Sequence, residues 1–145
     1  MITLAGPEDA SELLALYHHL TGEETLLDLT AAAQRLETLA RYPGSGVFLC
    51  RVAGVLVASA TLVVIPNLTR QGRPYALIEN VVTRASHRRG GHGRRVMQAA
   101  IGAAWQAGCY KILLMTGSTD PATHGFYENL GFDRGKTGYR LRSPD

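Results

Sequence analysis

The chain is short of lysine, cysteine and long apolar runs, and each shortage closes off a class of protein. No stretch approaches the ~18 consecutive apolar residues that a membrane-spanning helix requires. Its two cysteines, Cys50 and Cys109, are too few for a disulfide framework. Each sits among strand-forming residues, which predicts buried free thiols. The opening residues carry no basic segment and meet acid at Glu8 and Asp9, so a secretory leader is not expected and a cytoplasmic location is. No His-Glu-x-x-His pattern or close cysteine–histidine pair occurs, and the adjacent His18 and His19 point different ways on a helix. No metal site is expected on those grounds. A Gly-x-Ser-x-Gly elbow is also missing, so no protein nucleophile is expected.

What remains is ordinary globular material. The 145 residues are 46% hydrophobic and 19% charged, which predicts one folded domain over 1–145. Fifteen basic residues face 12 acidic ones. Only Lys111 and Lys136 are lysines, and five arginines fall close together at Arg84, Arg88, Arg89, Arg94 and Arg95. The planar guanidinium suits phosphate. One basic focus on a nearly balanced chain points to a small polyanion. A nucleic-acid surface is the weaker alternative, because no aromatic stacking platform accompanies the cluster.

The apolar pattern gives the element order. Ile2 to Ala5 reads as a strand, and Gly6-Pro7-Glu8-Asp9 starts a helix with Leu13, Leu16, Tyr17 and Leu20 on one face and Gly22 at its end. A second helix begins near Thr30 and stops at Tyr42-Pro43-Gly44. Val47–Val52 and Val55–Ile65 flank Ala53-Gly54 as an antiparallel hairpin. A polar loop holding Arg70, Gly72 and Arg73 leads to a strand over Tyr75–Thr83. A helix then spans about Gly91 to Ala107, a strand Tyr110 to Met115, and a helix Asp120 to Leu130. Phe132 and Lys136 to Leu141 are expected to complete the sheet. The order is β-α-α-β-β-β-α-β-α-β, with one last strand after it as the alternative ending. This is an α/β fold on a mixed sheet, parallel across the Tyr75–Met115 crossover.

The most informative stretch joins the Tyr75–Thr83 strand to the long helix through Arg88-Arg89-Gly90-Gly91-His92-Gly93. Free N–H groups at a helix start form an anion site, and glycines let a phosphate approach the backbone. The P-loop pattern fails because no lysine follows the glycines, and the dinucleotide fingerprint lacks its third glycine. The pattern R-x-x-G-x-G fits, and it resembles the acyl-CoA-binding motif of the GNAT N-acetyltransferases. Phe126-Tyr127-Glu128-Asn129-Leu130-Gly131-Phe132 looks like the same family's F-Y-x-x-x-G-F signature. Glu79-Asn80-Val81-Val82 and Cys109-Tyr110-Lys111-Ile112 are most similar to the small dimeric members that acetylate glucosamine 6-phosphate.

The resemblance implies a fold, a sheet splayed at the cofactor cleft, and a reaction. The chain would carry an acetyl group from acetyl-CoA to the primary amine of a small molecule in a ternary complex, with no metal, membrane or nucleic acid involved, as a homodimer. The backbone of Val81, Val82 and Thr83 would run along the pantetheine arm. Arg88, Arg89, Gly90, Gly91, His92, Gly93 and Arg94 would hold the diphosphate. Asp120 occupies a position where many relatives use asparagine against pantetheine. Asn80 stands where the amino-sugar enzymes carry aspartate, Ala85 replaces a common proline, and His92 replaces a common aliphatic residue. Tyr127 matches the family's general acid: a phenol near pKa 10 is suited to protonate a departing thiolate. Glu79 is a carboxylate in an otherwise apolar strand, suited to take a proton from the amine directly or through water. An edge-facing or arginine-paired Glu79 is the structural alternative. Glu23 and Glu24 are further candidates to meet a cationic amine, and Arg70 and Arg73 to meet a substrate phosphate or a second subunit. A non-catalytic coenzyme-sensing module remains the alternative to an enzyme.

Overall fold

The computed structural model describes residues 1–22 and 27–145, so Glu23 and Glu24 lie outside the described residues. The chain divides into two compact units, Met1–Leu114 and Met115–Asp145.

The first unit holds the sheet. β1 (Ile2–Leu4) leads through a 3-10 turn at Pro7–Asp9 into α1 (Ala10–Thr21). There follow α2 (Leu29–Ala40), β2 (Gly46–Val52), β3 (Val55–Ile65), β4 (Tyr75–Thr83), α3 (His92–Gln106) and β5 (Ile112–Leu113). The strands lie in the order β1-β2-β3-β4-β5. All neighbours are antiparallel except β4 and β5, which are parallel across α3. Chemistry in the turns sets these boundaries. Gly22 closes α1 with φ 74° and donates its N–H to the His18 carbonyl. Asp28 opens α2 by accepting the Ala31 N–H at 2.9 Å. Ala53 and Gly54 both have positive φ, 50° and 79°, the conformation a two-residue hairpin turn requires.

The sheet is covered on both faces, which is why Leu56 to Ala60 of β3 are buried without a break. Strand alternation sorts the rest. Val47, Leu49, Leu56 and Val82 pack with Leu13 and Leu16 of α1 and, at its margin, with Leu36 and Leu39 of α2. On the opposite face lie Ala58, Ala60, Leu62 and Ile78, under the buried Val96, Met97, Ala100 and Ala104 of α3. Gly44 is held between Val64 and Ala107 at that face, and a Cβ added there would stand 3.0 Å from the valine.

An ion pair fixes α1 to the sheet. Arg51 of β2 donates from Nη2 to Asp9 at 2.7 Å and to Glu12 at 2.9 Å. Asp9 is almost buried and also accepts the Gly6 N–H at 2.8 Å.

The second unit contains α4 (Pro121–Asn129), capped by Asp120 and followed by Gly131 with φ 100°. The strand expected over Lys136 to Leu141 does not form: residues 132–145 carry no strand. A strand needs a neighbour to take its amides, and this unit contains only a helix. Tyr139 and Leu141 are accordingly 90% and 99% exposed. The preceding strand is also shorter than Tyr110–Met115, because pairing with β4 reaches only Ile112 and Leu113.

Arg51→Met should lower unfolding stability by about 1–3 kcal/mol, since it strands a nearly buried carboxylate. Urea titration measures this, and an unchanged midpoint would show that Asp9 needs only its bond to Gly6.

Candidate active site

β4 changes character half-way along. Its register with β3 matches Thr61 to Glu79 but Ser59 to Val82, so two residues, Asn80 and Val81, oppose Ala60 alone. This is a β-bulge. Asn80 sits in the left-handed region with φ 52°, which asparagine tolerates far better than a β-branched residue. Glu79 and Val82 are three apart and would face opposite sides of a regular strand. The bulge puts both on the α1 face, with Thr61 and Ser59. Asparagine amid apolar, β-branched residues was the sequence signal for it.

Past the bulge, β4 also loses its other neighbour. β5 pairs only with Ala76 and Leu77. The backbone from Ile78 to Thr83 therefore has no strand on that side among the described residues. Such an edge presents unpaired amides and carbonyls. Val81, Val82 and Thr83 lie along this edge.

β4 then runs into the glycine turn. Arg89 is left-handed with φ 66°, and Gly91 with φ 80° is the N-cap of α3 without a side-chain hydrogen bond to the first turn. Gly91 has no side chain to bring to the opening N–H groups of α3, at His92 and Gly93. The turn is closely fitted: a Cβ on Gly90 would stand 2.8 Å from His92 Nε2. His92 Nδ1 is buried with no partner among the described residues, and the ring meets His87 edge-on at 5.9 Å. A helix start with glycine as its N-cap and an orphaned buried nitrogen suit a diphosphate.

The arginine cluster divides. Arg84 Nε donates to the Leu56 carbonyl. Arg88 Nε donates to the Thr83 carbonyl at 3.3 Å and Nη2 to the His19 carbonyl at 3.5 Å. His19 Nδ1 in turn accepts the Ala85 N–H at 3.2 Å. Arg88 therefore braces the turn against α1 as well as bringing charge to it, while Arg89, Arg94 and Arg95 are exposed.

A cavity of about 200 Å³ lies on the α1 face beside the bulge. Leu13, Leu14 and Tyr17 of α1 line it, with Ala32, Arg35, Leu36 and Leu39 of α2. Val47, Thr61 and Asn80 supply the sheet side. Burial raises the Tyr17 phenol above its ordinary value, against the opposing pull of the Thr61 and Ser59 hydroxyls. The Ser59 hydroxyl is fully buried and completes no hydrogen bond of good geometry among the described residues. Glu79 is exposed on the same face and makes no ion pair among the described residues, so the arginine-paired alternative is not what is seen. Periodicity marked Tyr17 only as a helix-stripe residue. Nothing in the sequence signalled that it would meet two strand hydroxyls.

A larger cavity of about 390 Å³ lies at the other end of β4, lined by Arg70, Gln71, Arg73 and Tyr110. Arg73 donates to the carbonyls of Gly108 and Cys109, and Arg70 lies over the Tyr110 ring at 5.4 Å. These arginines tie down the loop and are remote along the strand from the bulge and turn.

In the second unit, Tyr127 stacks edge-wise on Phe126 at 5.1 Å and Phe132 at 6.2 Å. The F-Y-x-x-x-G-F signature thus forms one aromatic cluster, closed by the Phe132 N–H on the Tyr127 carbonyl. Asp120 Oδ1 accepts the Ala122 N–H at 2.9 Å, so one of its oxygens is occupied in capping α4.

Comparison with known proteins decides the family. Residues 13–132 match the Acetyltransferase (GNAT) family. The chain belongs to that family. As a GNAT acetyltransferase it is 33% identical over 126 residues to a glucosamine 6-phosphate N-acetyltransferase of Trypanosoma brucei brucei, covering 86% of this chain and 82% of that one. It is 44% identical to a structure described as a putative acetyltransferase from Agrobacterium tumefaciens, with TM-score 0.91 and 99% of each chain covered. Glucosamine-6-phosphate N-acetyltransferase from Arabidopsis thaliana shares the fold at TM-score 0.87 and 19% identity, covering 100% of this chain and 98% of that one. Acetyl-CoA and an amine are the general substrates of such enzymes.

Asn80→Val should destabilise the protein by about 1–3 kcal/mol and weaken acetyl-CoA binding, whereas Asn80→Gly should do neither. Urea unfolding and calorimetry check both, and equal behaviour of the two variants would remove the left-handed bulge from the argument. A second test uses pH. An unfolded tyrosine ionises near 10, and folded Tyr17 ionises later. The stability this contributes is complete below pH 10 and is lost as pH rises through the folded value. Tyr17→Phe should therefore lose less stability between pH 9 and pH 11 than the parent; an identical loss would show that Tyr17 is not the group responsible.

Proposed function

We propose that this GNAT acetyltransferase moves the acetyl group of acetyl-CoA directly onto the primary amine of a small molecule within a ternary complex. An amino-sugar phosphate is among the acceptors to be tested. The observation that carries the reading is the course of β4. It parts from β5 after Leu77, turns at the left-handed Asn80, and delivers the chain to a glycine-lined start of α3 with Gly91 as its N-cap.

Acetyl-CoA supplies an activated acetyl thioester. Everything else falls to the chain. Arg89 to Arg94 hold the diphosphate through main-chain N–H groups, with Arg88 fixing the turn. The open edge of Val81 to Thr83 aligns the pantetheine arm, and a main-chain N–H there polarises the thioester carbonyl, as an oxyanion hole does. Glu79 accepts a proton from the incoming ammonium, directly or through water, since an amine of pKa near 10.4 must lose it to attack. Tyr127 gives its phenolic proton to the departing thiolate. Asp120 contributes to the pantetheine site with the oxygen that its cap leaves over. Holding both reactants in one site is worth ~7–11 kcal/mol as effective molarity.

The family match runs across both compact units, which supports their working as one acetyltransferase domain over 1–145. A cytoplasmic homodimer is proposed with it. The exposed Tyr139 and Leu141 are available to a second copy, and sedimentation reads the oligomeric state.

Incubation with acetyl-CoA and a panel of amines, including glucosamine 6-phosphate, polyamines and amino acids, should release free thiol with at least one. Binding of coenzyme without release across the panel would identify a non-catalytic module instead. Tyr127→Phe should lower kcat by about 10²-fold with donor affinity unchanged, and Glu79→Gln should lower the rate most below neutral pH. A kcat unchanged in both variants would remove these residues from proton transfer.

A further inference from the structure

The cavity beside Asn80 has a composition that the acetyl-transfer reading alone does not explain. Six large aliphatic side chains, Leu13, Leu14, Leu27, Leu36, Leu39 and Val47, form most of its wall. Among the described residues, polar groups occur at two places. Tyr17, Thr61 and Asn80 gather where the cavity meets the sheet, with the buried Ser59 hydroxyl beside Tyr17. Arg35 stands on the helical wall. Its position is unusual for a cation. Ala32, Arg35, Leu36 and Leu39 fall at the i, i+3, i+4, i+7 spacing of one helix face, so a guanidinium occupies a place in the apolar stripe of α2. It makes no ion pair or hydrogen bond among the described residues.

Resting on the acetyl-transfer reading, we infer that the acceptor is a small primary amine carried on an apolar body, with an anionic group that meets Arg35. The amine lies at the polar end, next to the bulge and on the face that carries Glu79. The aliphatic wall takes the body by excluding water from it. A hexose brings a hydroxyl on nearly every carbon, and this wall offers those hydroxyls no partners, so each one buried would count against binding. The volume of about 200 Å³ is below that of drug-sized sites and fits a short molecule.

The test is calorimetric titration of the full chain, saturated with coenzyme A, using three probes: a series of ω-amino carboxylates, the matched alkylamines, and glucosamine 6-phosphate. The best amino carboxylate should bind about tenfold more tightly than its alkylamine, and both more tightly than the sugar phosphate. Arg35→Gln should collapse the gap between carboxylate and alkylamine. Arg35 is exposed on α2, so this variant should fold; Leu14→Ser should weaken both apolar probes while coenzyme affinity stays constant. Preference for glucosamine 6-phosphate, or a gap that survives Arg35→Gln, overturns the inference. Thiol release is scored separately with acetyl-CoA in place of coenzyme A. Tight apolar binding without release overturns the acetyl-transfer reading and leaves the ligand class of the cavity standing.

Discussion

Backbone amides in the second half of β4 have a strand on one side only. A buried or half-buried peptide group must find a partner or carry a cost of order a kcal/mol or more, and the sheet does not supply one after Leu77. Most proteins cover or blunt such an edge. Here Val81 and Thr83 are only partly exposed and Val82 is buried. The edge is therefore neither a free surface nor a satisfied ladder, which suits it to the extended, amide-bearing ligand of the proposed function. Everything donor-related follows from that gap. The bulge at Asn80 aims the strand, and the glycine turn receives the charged end of whatever lies along it.

α1 makes this arrangement rigid. At its start, Arg51 draws Asp9 and Glu12 onto β2. At its end, His19 accepts from Ala85, and its carbonyl receives Arg88. The helix thus spans from the second strand to the phosphate turn and is held at both ends. Its middle carries Leu13 and Leu16 into the core and Tyr17 toward Thr61 and Ser59. Local polar contacts at the two ends place a side chain at the centre, where no single contact of its own would fix it.

Much of this was legible in the residues. Strand periodicity and turn chemistry located β2, β3 and β4 closely, because Ala53-Gly54 and the apolar runs beside it leave little choice. The glycine turn was legible for the same reason: three glycines between an apolar strand and an amphipathic helix have few structural uses. The sequence was least informative where tertiary neighbours decide. Lys136 to Leu141 alternates like a strand, yet its unit offers nothing to pair with. Arg88 reads as a phosphate ligand by composition, but its bonds to Thr83 and His19 depend on where α1 ends. The cavity was invisible because its wall comes from five elements distant in sequence, and Arg35 looks like any surface arginine until the stripe of α2 is known to face the cavity.

Donor and acceptor sites are built from different material, and that governs what family likeness transmits. The donor site is mostly main chain: an open strand edge, a left-handed turn, the N–H groups of a helix start. Many sequences satisfy those requirements, and the fold itself is shared at an identity as low as the 19% with the Arabidopsis structure. The acceptor cavity is made of side chains, and replacing one leucine changes what it admits. At 33% identity to the trypanosomal enzyme, most positions differ, and Asn80 itself lines the cavity. Likeness therefore carries the coenzyme and the reaction across the family with little loss. The acceptor must be read from the lining of each member, and among the described residues of this chain the cavity inferred to take it is mostly aliphatic, with Arg35 on its helical wall.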